Sequence, residues 1–256
     1  MLHLTRRRKA DAIPVLIFGE MRSGTNMLLA CFNAAPSAEV CNETDDEAFL
    51  DYELRDLSTV RRLVQRSRAS HVVFKPTADG NRANEVLDGL PGARGVWIFR
   101  SYPDVVNSAL NLFKQHREYL QRIVDRSPTA RWRATNLTEA DYSLIETHLS
   151  RDLSEASIRA LIWYLRNSFY FRLHLDRRGD TLLVNYEDLV KKGSGTTKRI
   201  FDFVGLRFRD RYVRHVTSAS VGRRQPPEID ESIQLLCDGL LKKLRASCDQ
   251  QTTIAL

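Results

Sequence analysis

Two groups of residues in this sequence have the types and spacing needed to grip anions. The first is Gly19-Glu20-Met21-Arg22-Ser23-Gly24-Thr25-Asn26. Gly19 and Gly24 stand apart as the glycines of a phosphate loop do, G-x-x-x-x-G. Missing side chains at those two places let backbone N–H groups face a phosphate, and a helix opening at Thr25 adds its positive end. Ser23 and Thr25 supply hydroxyl donors, and Arg22 supplies a fixed positive charge. A nucleoside triphosphatase carries Lys-Ser/Thr after the second glycine, where this chain has Thr25-Asn26. Without that lysine and the usual Mg²⁺-holding hydroxyl, the loop suits a polyanion and fits Mg·ATP poorly.

The second group lies in Gly95-Val96-Trp97-Ile98-Phe99-Arg100-Ser101-Tyr102-Pro103-Asp104-Val105-Val106-Asn107-Ser108. A strand ends at Arg100. Pro103 suits the first turn of a helix and Asp104 complements its dipole. Ser108 then falls about one and a half turns inside the helix, on the near face. Arg100 offers a forked cationic donor and Ser108 a short hydroxyl, so the two can share one phosphate.

These groups need a scaffold that brings strand ends together. Continuous apolar, β-rich runs predict buried parallel strands at Pro14–Phe18, His71–Phe74, Gly95–Phe99 and Thr181–Val184. Helical patterns lie between them, over Thr25–Asn33, Leu54–Arg68, Asp104–Val124, Ser157–Leu175 and Thr196–Val204. Glu228–Arg245 reads as a C-terminal amphipathic helix. The alternation predicts a single α/β domain across residues 1–256, a P-loop-like parallel sheet with helices on both faces. Ligands on such sheets sit beyond the carboxyl ends of the strands, where both anion groups fall. The polar stretch 125–151 reads as a helical insertion over the site, and residues 1–12 as a basic N-terminal tail.

The chain has 256 residues and a net charge of +7, which favours an anionic ligand. Cys31, Cys41, Cys237 and Cys248 form no C-x-x-C pair and no zinc-ligand spacing, so free thiols in a reducing compartment and no metal are expected. The apolar run after Arg6–Lys9 is too short for a secretory signal, and no segment is long enough to span a bilayer, which points to a cytoplasmic protein. A basic stripe interleaved with aromatic residues, as single-strand binders use, is not present, so no nucleic-acid partner is expected. The alternatives that remain are a P-loop kinase or nucleotidase, a basic nucleic-acid-binding non-enzyme, and an inactive nucleotide-binding relative.

The paired groups resemble the motifs of sulfotransferases that use 3′-phosphoadenosine-5′-phosphosulfate (PAPS). Arg22-Ser23-Gly24-Thr25 is similar to their 5′-phosphosulfate loop, and Arg100 with Ser108 to their 3′-phosphate motif. Asn185-Tyr186-Glu187-Asp188-Leu189-Val190 resembles the Tyr-Glu-Asp-Leu segment that follows a late strand in them. The likeness runs from about Pro14 to Leu206. Aryl and steroid enzymes of that family have Lys in the loop, Trp soon after it and Lys-Thr-His after the second strand. This chain has Arg22, Met27 and Lys75-Pro76-Thr77. The arginine version is closer to the carbohydrate, tyrosylprotein and nodulation-type enzymes, and the missing histidine argues against a His base.

The resemblance implies roles. The N–H groups of Ser23, Gly24, Thr25 and Asn26 would cradle the 5′-phosphate, and Arg100 with Ser108 would hold the 3′-phosphate. Arg223 and Arg224, after Ser220-Val221-Gly222, would reach that phosphate from a late loop. Arg22 and Lys75 would offset charge on the leaving oxygen, and no metal is needed. Enzymes of the arginine branch keep a glutamate base in the place of Cys41-Asn42-Glu43-Thr44-Asp45-Asp46-Glu47; Glu43 matches best by position and Glu47 second. His116 reads as a surface residue and His71 as structural. Trp163 and Tyr164 read as core. Tyr186 reads either as an adenine contact or as a core residue. The acceptor implied is a hydroxyl, on a carbohydrate or glycolipid by the likeness to the arginine branch, with a tyrosine, phenol or small metabolite as alternatives.

Overall fold

The computed structural model describes residues 11–112, 115–130, 133–218 and 221–254. The basic run Arg6–Lys9 and Ser220 lie outside them. Along the chain come β1 (Ile13–Phe18), α1 (Thr25–Asn33), β2 (Ala38–Cys41), the short strands β3 (Phe49–Leu50) and β4 (Glu53–Leu54), α2 (Leu57–Arg66) and β5 (His71–Phe74). Then follow α3 (Ala83–Gly89), β6 (Arg94–Phe99), α4 (Tyr102–Leu110), α5 (His116–Val124), α6 (Glu139–Leu149) and α7 (Glu155–Arg172). The chain closes with β7 (Thr181–Asn185), α8 (Tyr186–Lys191), α9 (Gly193–Val204) and α10 (Glu231–Ile254). Among the described residues no helix is long and apolar enough to cross a membrane.

The main sheet is parallel, in the order β2-β5-β1-β6-β7. Successive side chains of a strand point to opposite faces, and the two cores divide accordingly. Val15 and Ile17 of β1 pack with α1 and α9 through Leu28, Phe32, Ile200 and Phe201. Leu16 and Phe18 pack to the other side, with Trp97, Val105, Trp163 and Tyr170 from β6, α4 and α7. Both faces being covered explains why these strands are apolar throughout. Each fully buried side chain of this size contributes about 1.5–3 kcal/mol.

The expected single α/β domain with helices on both faces is the fold observed, and the predicted strands stand within one residue of their observed ends. Several elements differ. The edge strand β2 was not expected, because Ala38-Glu39-Val40-Cys41 is half-exposed and not continuously apolar. The helix expected over Leu54–Arg68 starts only at Leu57, since Leu54 pairs with Phe49 in a hairpin and Asp56 caps the helix, accepting from the Thr59 N–H at 3.0 Å. The single helix expected over Asp104–Val124 is two, α4 and α5, with Gln115 between them in the left-handed region at φ 70°. That break lets α5 pack against both α6 and α7 while α4 stays on α7. Within the stretch expected as a helical insertion, α6 forms with Thr138 and Asp141 as a reciprocal capping box.

Candidate functional site

Most of the candidate residues stand just past the carboxyl end of a strand; Ser108 lies inside α4, and Arg223 and Arg224 lie in a late loop. The loop 19–24 leaves β1, Glu43 follows β2, Lys75 follows β5, Arg100 follows β6 and Tyr186 follows β7. Five parallel strands thus deliver them to one end of the sheet.

The loop is held open by backbone conformation. Gly19, Arg22 and Gly24 have φ of 140°, 70° and 95°. A Cβ on Gly19 would lie 2.2 Å from the Ile98 carbonyl oxygen, and one on Gly24 would lie 2.2 Å from the Tyr186 ring. Glycine is therefore required at both places by packing as well as by φ. Thr25 starts α1 with no side-chain cap, which leaves the first-turn N–H groups for a ligand. Ser23 is fully buried, and its Oγ has no hydrogen-bond partner among the described residues.

One set of contacts ties this loop to α4. Arg22 Nε donates to Ser108 Oγ at 2.9 Å, and Arg100 Nη1 donates to the Arg22 carbonyl at 3.4 Å. The Arg100 guanidinium sits 4.6 Å over the Tyr186 ring and 3.3 Å from Asp104. Its own carbonyl accepts from Trp163 Nε1 at 3.0 Å, so the base of the side chain is fixed. Glu187 accepts from the Ser101 N–H at 3.0 Å, and burial pushes its carboxyl pKa up. Arg223 is exposed. Its loop docks on α4: the Gly222 N–H donates to Asp104 at 3.2 Å and Arg224 Nη1 to the Asn107 carbonyl at 3.3 Å. The loop thus reaches the helix that carries Ser108.

A second set gathers at Asn26, in the first turn of α1. Lys75, with a side chain 4% exposed, donates to Asn26 Oδ1 at 2.6 Å and pairs with the Glu43 carboxylate. Thr77 Oγ1 donates to the other Glu43 oxygen at 3.3 Å. Glu47 turns away and pairs with Arg66 on the protein surface. Glu43 is therefore the carboxylate of the acidic segment that joins the lysine.

Sequence reasoning missed a third set. Glu20 inside the loop is buried and pairs with Arg159 and Arg166 of α7. Helical spacing placed both arginines on the face of an otherwise apolar helix, which was the available signal. His116 was expected on the surface but is buried at 6% exposure, because the α4–α5 break swings its face inward. Burial, followed by the nearby Arg159 charge, pulls its pKa down to about 4. His71 is structural, with Nε2 against the Val204 carbonyl at 2.8 Å. Trp163 is core and Tyr164 packs at the core's margin.

No family model matches the sequence, and no curated protein matches it significantly. Solved structures do match. A sulfotransferase domain from the curacin biosynthetic pathway is 13% identical with a TM-score of 0.55, over 91% of this chain and 98% of that one. A sulfotransferase domain from the olefin synthase of Synechococcus PCC 7002 is 13% identical with a TM-score of 0.51, over 92% and 95%. The sulfotransferase STF9 of Mycobacterium avium is 12% identical with a TM-score of 0.52, over 92% and 77%.

Proposed function

We propose that this chain, which has the sulfotransferase fold, is a PAPS-dependent O-sulfotransferase. The observation that carries this is the meeting of two anion-gripping elements through Arg22, whose Nε binds Ser108 and whose carbonyl binds Arg100. A compound with phosphates at two separated positions of one adenosine suits two such grips, and a triphosphate on one side does not.

The residues present fit that donor. The orphaned Ser23 hydroxyl and the uncapped start of α1 are donors awaiting an acceptor. The Ser23 N–H, expected in the cradle, already donates to the Glu20 carbonyl at 3.1 Å, so the N–H groups of Gly24, Thr25 and Asn26 with the Ser23 hydroxyl would hold the 5′-phosphate. Arg100 and Ser108 would hold the 3′-phosphate, with Arg223 close by on its loop. PAPS supplies the sulfuryl group and a stable bisphosphate leaving group. Sulfuryl transfer resembles phosphoryl transfer, in which positioning and charge stabilisation do most of the work. Arg22 and Lys75 provide positive charge for the leaving oxygen. Glu43 takes the proton of the acceptor hydroxyl, and its contacts with Lys75 and Thr77 hold it in one orientation. The acceptor is a hydroxyl on a carbohydrate or glycolipid, by the likeness of the Arg22 loop to the arginine branch. No metal enters this scheme.

Melting the protein with adenosine 3′,5′-bisphosphate, with Mg·ATP and with a nucleic-acid duplex tests the reading. A ligand at a hundredfold its Kd adds about 2.7 kcal/mol of apparent stability. Only the bisphosphate is expected to raise Tm. A shift with Mg·ATP alone would assign the chain to a kinase or nucleotidase instead.

A further inference from the structure

Thr77 stands beside the proposed base, and its own position is set from α7. Its Oγ1 donates to Glu43 at 3.3 Å, while its carbonyl accepts from Arg166 Nη2 at 2.8 Å. The same Nη2 donates to the Ala78 carbonyl at 2.9 Å. One guanidinium nitrogen thus bridges two successive carbonyls with its two N–H groups, which fixes both peptide planes. Those planes belong to the bend that leaves β5. In that bend the Thr77 N–H donates to the Lys75 carbonyl at 3.0 Å and the Asp79 N–H to the Pro76 carbonyl at 3.1 Å. Lys75 and Thr77, the two side chains that touch Glu43, both come from it.

Arg166 is itself held. Its Nε lies 3.5 Å from Glu20 Oε2, and Glu20 Oε1 accepts from Arg159 Nη2 at 2.6 Å. The Arg166 and Glu20 side chains are 11% and 6% exposed, so water competes little for these contacts. Buried Asp79 lies on the other side of Arg166. It accepts from the Leu54 N–H at 2.9 Å and pairs with Arg82. Burial pushes its carboxyl pKa up, and the charges of Arg82 and Arg166 oppose that rise. Arg166 therefore sits between two carboxylates, Glu20 and Asp79. Glu20 belongs to the loop after β1, where its carbonyl accepts from the Ser23 N–H. An unbroken set of contacts runs from that loop through Glu20, Arg166 and Thr77 to Glu43.

We infer that Arg166, anchored by Glu20, is a positioning residue for the base: it fixes the bend after β5 so that Thr77 keeps the Glu43 carboxylate in one orientation relative to the donor loop. Arginine suits the task because its planar fork reaches Glu20 and both carbonyls at once, which the single nitrogen of a lysine cannot do. The inference rests on the sulfuryl-transfer reading and adds the residues that align its base with its donor loop.

Wild type, Thr77→Val, Arg166→Lys and the double variant test it. The Glu43 carboxyl carbon is followed by NMR in protein labelled with carbon-13 glutamate, and is identified by its loss in Glu43→Gln. Arg166→Lys is expected to move that resonance in the same direction as Thr77→Val, and the double variant no further. Turnover, read as bisphosphate release from PAPS, is expected to fall about tenfold in each single variant and no more than about twofold further in the double, because both changes remove one contact. The Kd for adenosine 3′,5′-bisphosphate is expected to stay within about threefold of wild type. An unmoved Glu43 resonance in Arg166→Lys, or turnover losses that multiply in the double variant, overturns the positioning role. So does a Kd raised as much as turnover falls, which makes Arg166 a support of the donor loop alone. Circular dichroism checks folding, and if Arg166→Lys unfolds, Glu20→Gln carries the same expectations with its own Thr77→Val double variant. A wild-type protein that binds no bisphosphate removes the donor reading, whereas the resonance still decides whether Arg166 sets Glu43.

Discussion

Arg22 and Ser108, far apart in sequence, are joined by a hydrogen bond of 2.9 Å from the arginine Nε to the serine Oγ. Arg22 can make it because the residue itself takes a positive φ of 70°, which turns its side chain from the loop toward α4. The same turn presents its carbonyl to Arg100. The loop after β1 is thereby joined to the end of β6 and to α4.

Arg100→Ala is expected to raise the Kd for adenosine 3′,5′-bisphosphate by roughly ten- to a hundredfold, the loss of a charge-assisted bond of about 1.5–3 kcal/mol. Calorimetric titration measures it, and circular dichroism checks that the sheet persists. An unchanged Kd removes Arg100 from the donor site.

Glu43→Gln keeps the shape beside Lys75 and Thr77 but loses the proton acceptor. Turnover, read as bisphosphate release from PAPS, is expected to fall at least about a hundredfold, with donor affinity little changed. If turnover survives, the base lies elsewhere.

Gly24→Ala places a methyl group 2.2 Å from the Tyr186 ring at a backbone φ of 95°. The loop must shift, and Tyr186 also supports Arg100. Both Tm and bisphosphate affinity are expected to fall, whereas Gly92→Ala, with φ 74° but open space around it, costs stability alone.

All four thiols are buried, and burial raises their pKa values, those of Cys31 and Cys41 to about 12. The native protein at pH 8 is therefore expected to resist iodoacetamide until denaturant is added. Fast labelling of any one thiol in the folded state, followed by mass spectrometry, contradicts its placement.

His116 has a folded-state pKa of about 4, below its unfolded value near 6.5, through burial first and Arg159 second, against the opposing charges of Glu20 and Glu118. Between those values the unfolded chain binds the extra proton, so stability falls as pH drops from about 6.5 towards 4 and is complete above 6.5. His116→Gln is expected to make that fall in Tm shallower. An identical slope in both proteins shows that the imidazole is not buried.

The strands and the glycine turn after β1 were legible because their signals are local. A strand covered on both faces must be apolar throughout, as Val15–Phe18 and Val96–Phe99 are. A turn with positive φ and no room for a Cβ must carry glycine, as Gly19 and Gly24 do. Glu43 could be named, but its partner could not, since Lys75 joins it only when β2 and β5 lie side by side. The long helix read over Asp104–Val124 failed because nothing in its periodicity records where α6 and α7 require a break.

The amino-acid order alone determined which segments are buried strands and where the loop after β1 turns through glycine. These follow from side-chain chemistry and backbone freedom within a few residues. Tertiary structure decided which charges meet: Arg22 with Ser108, Lys75 with Glu43 rather than Glu47, and Glu20 with Arg159 and Arg166. An ion pair acts through space over a few ångströms. Only the stacking of strand ends and the packing of α7 across them bring those distant residues within that range.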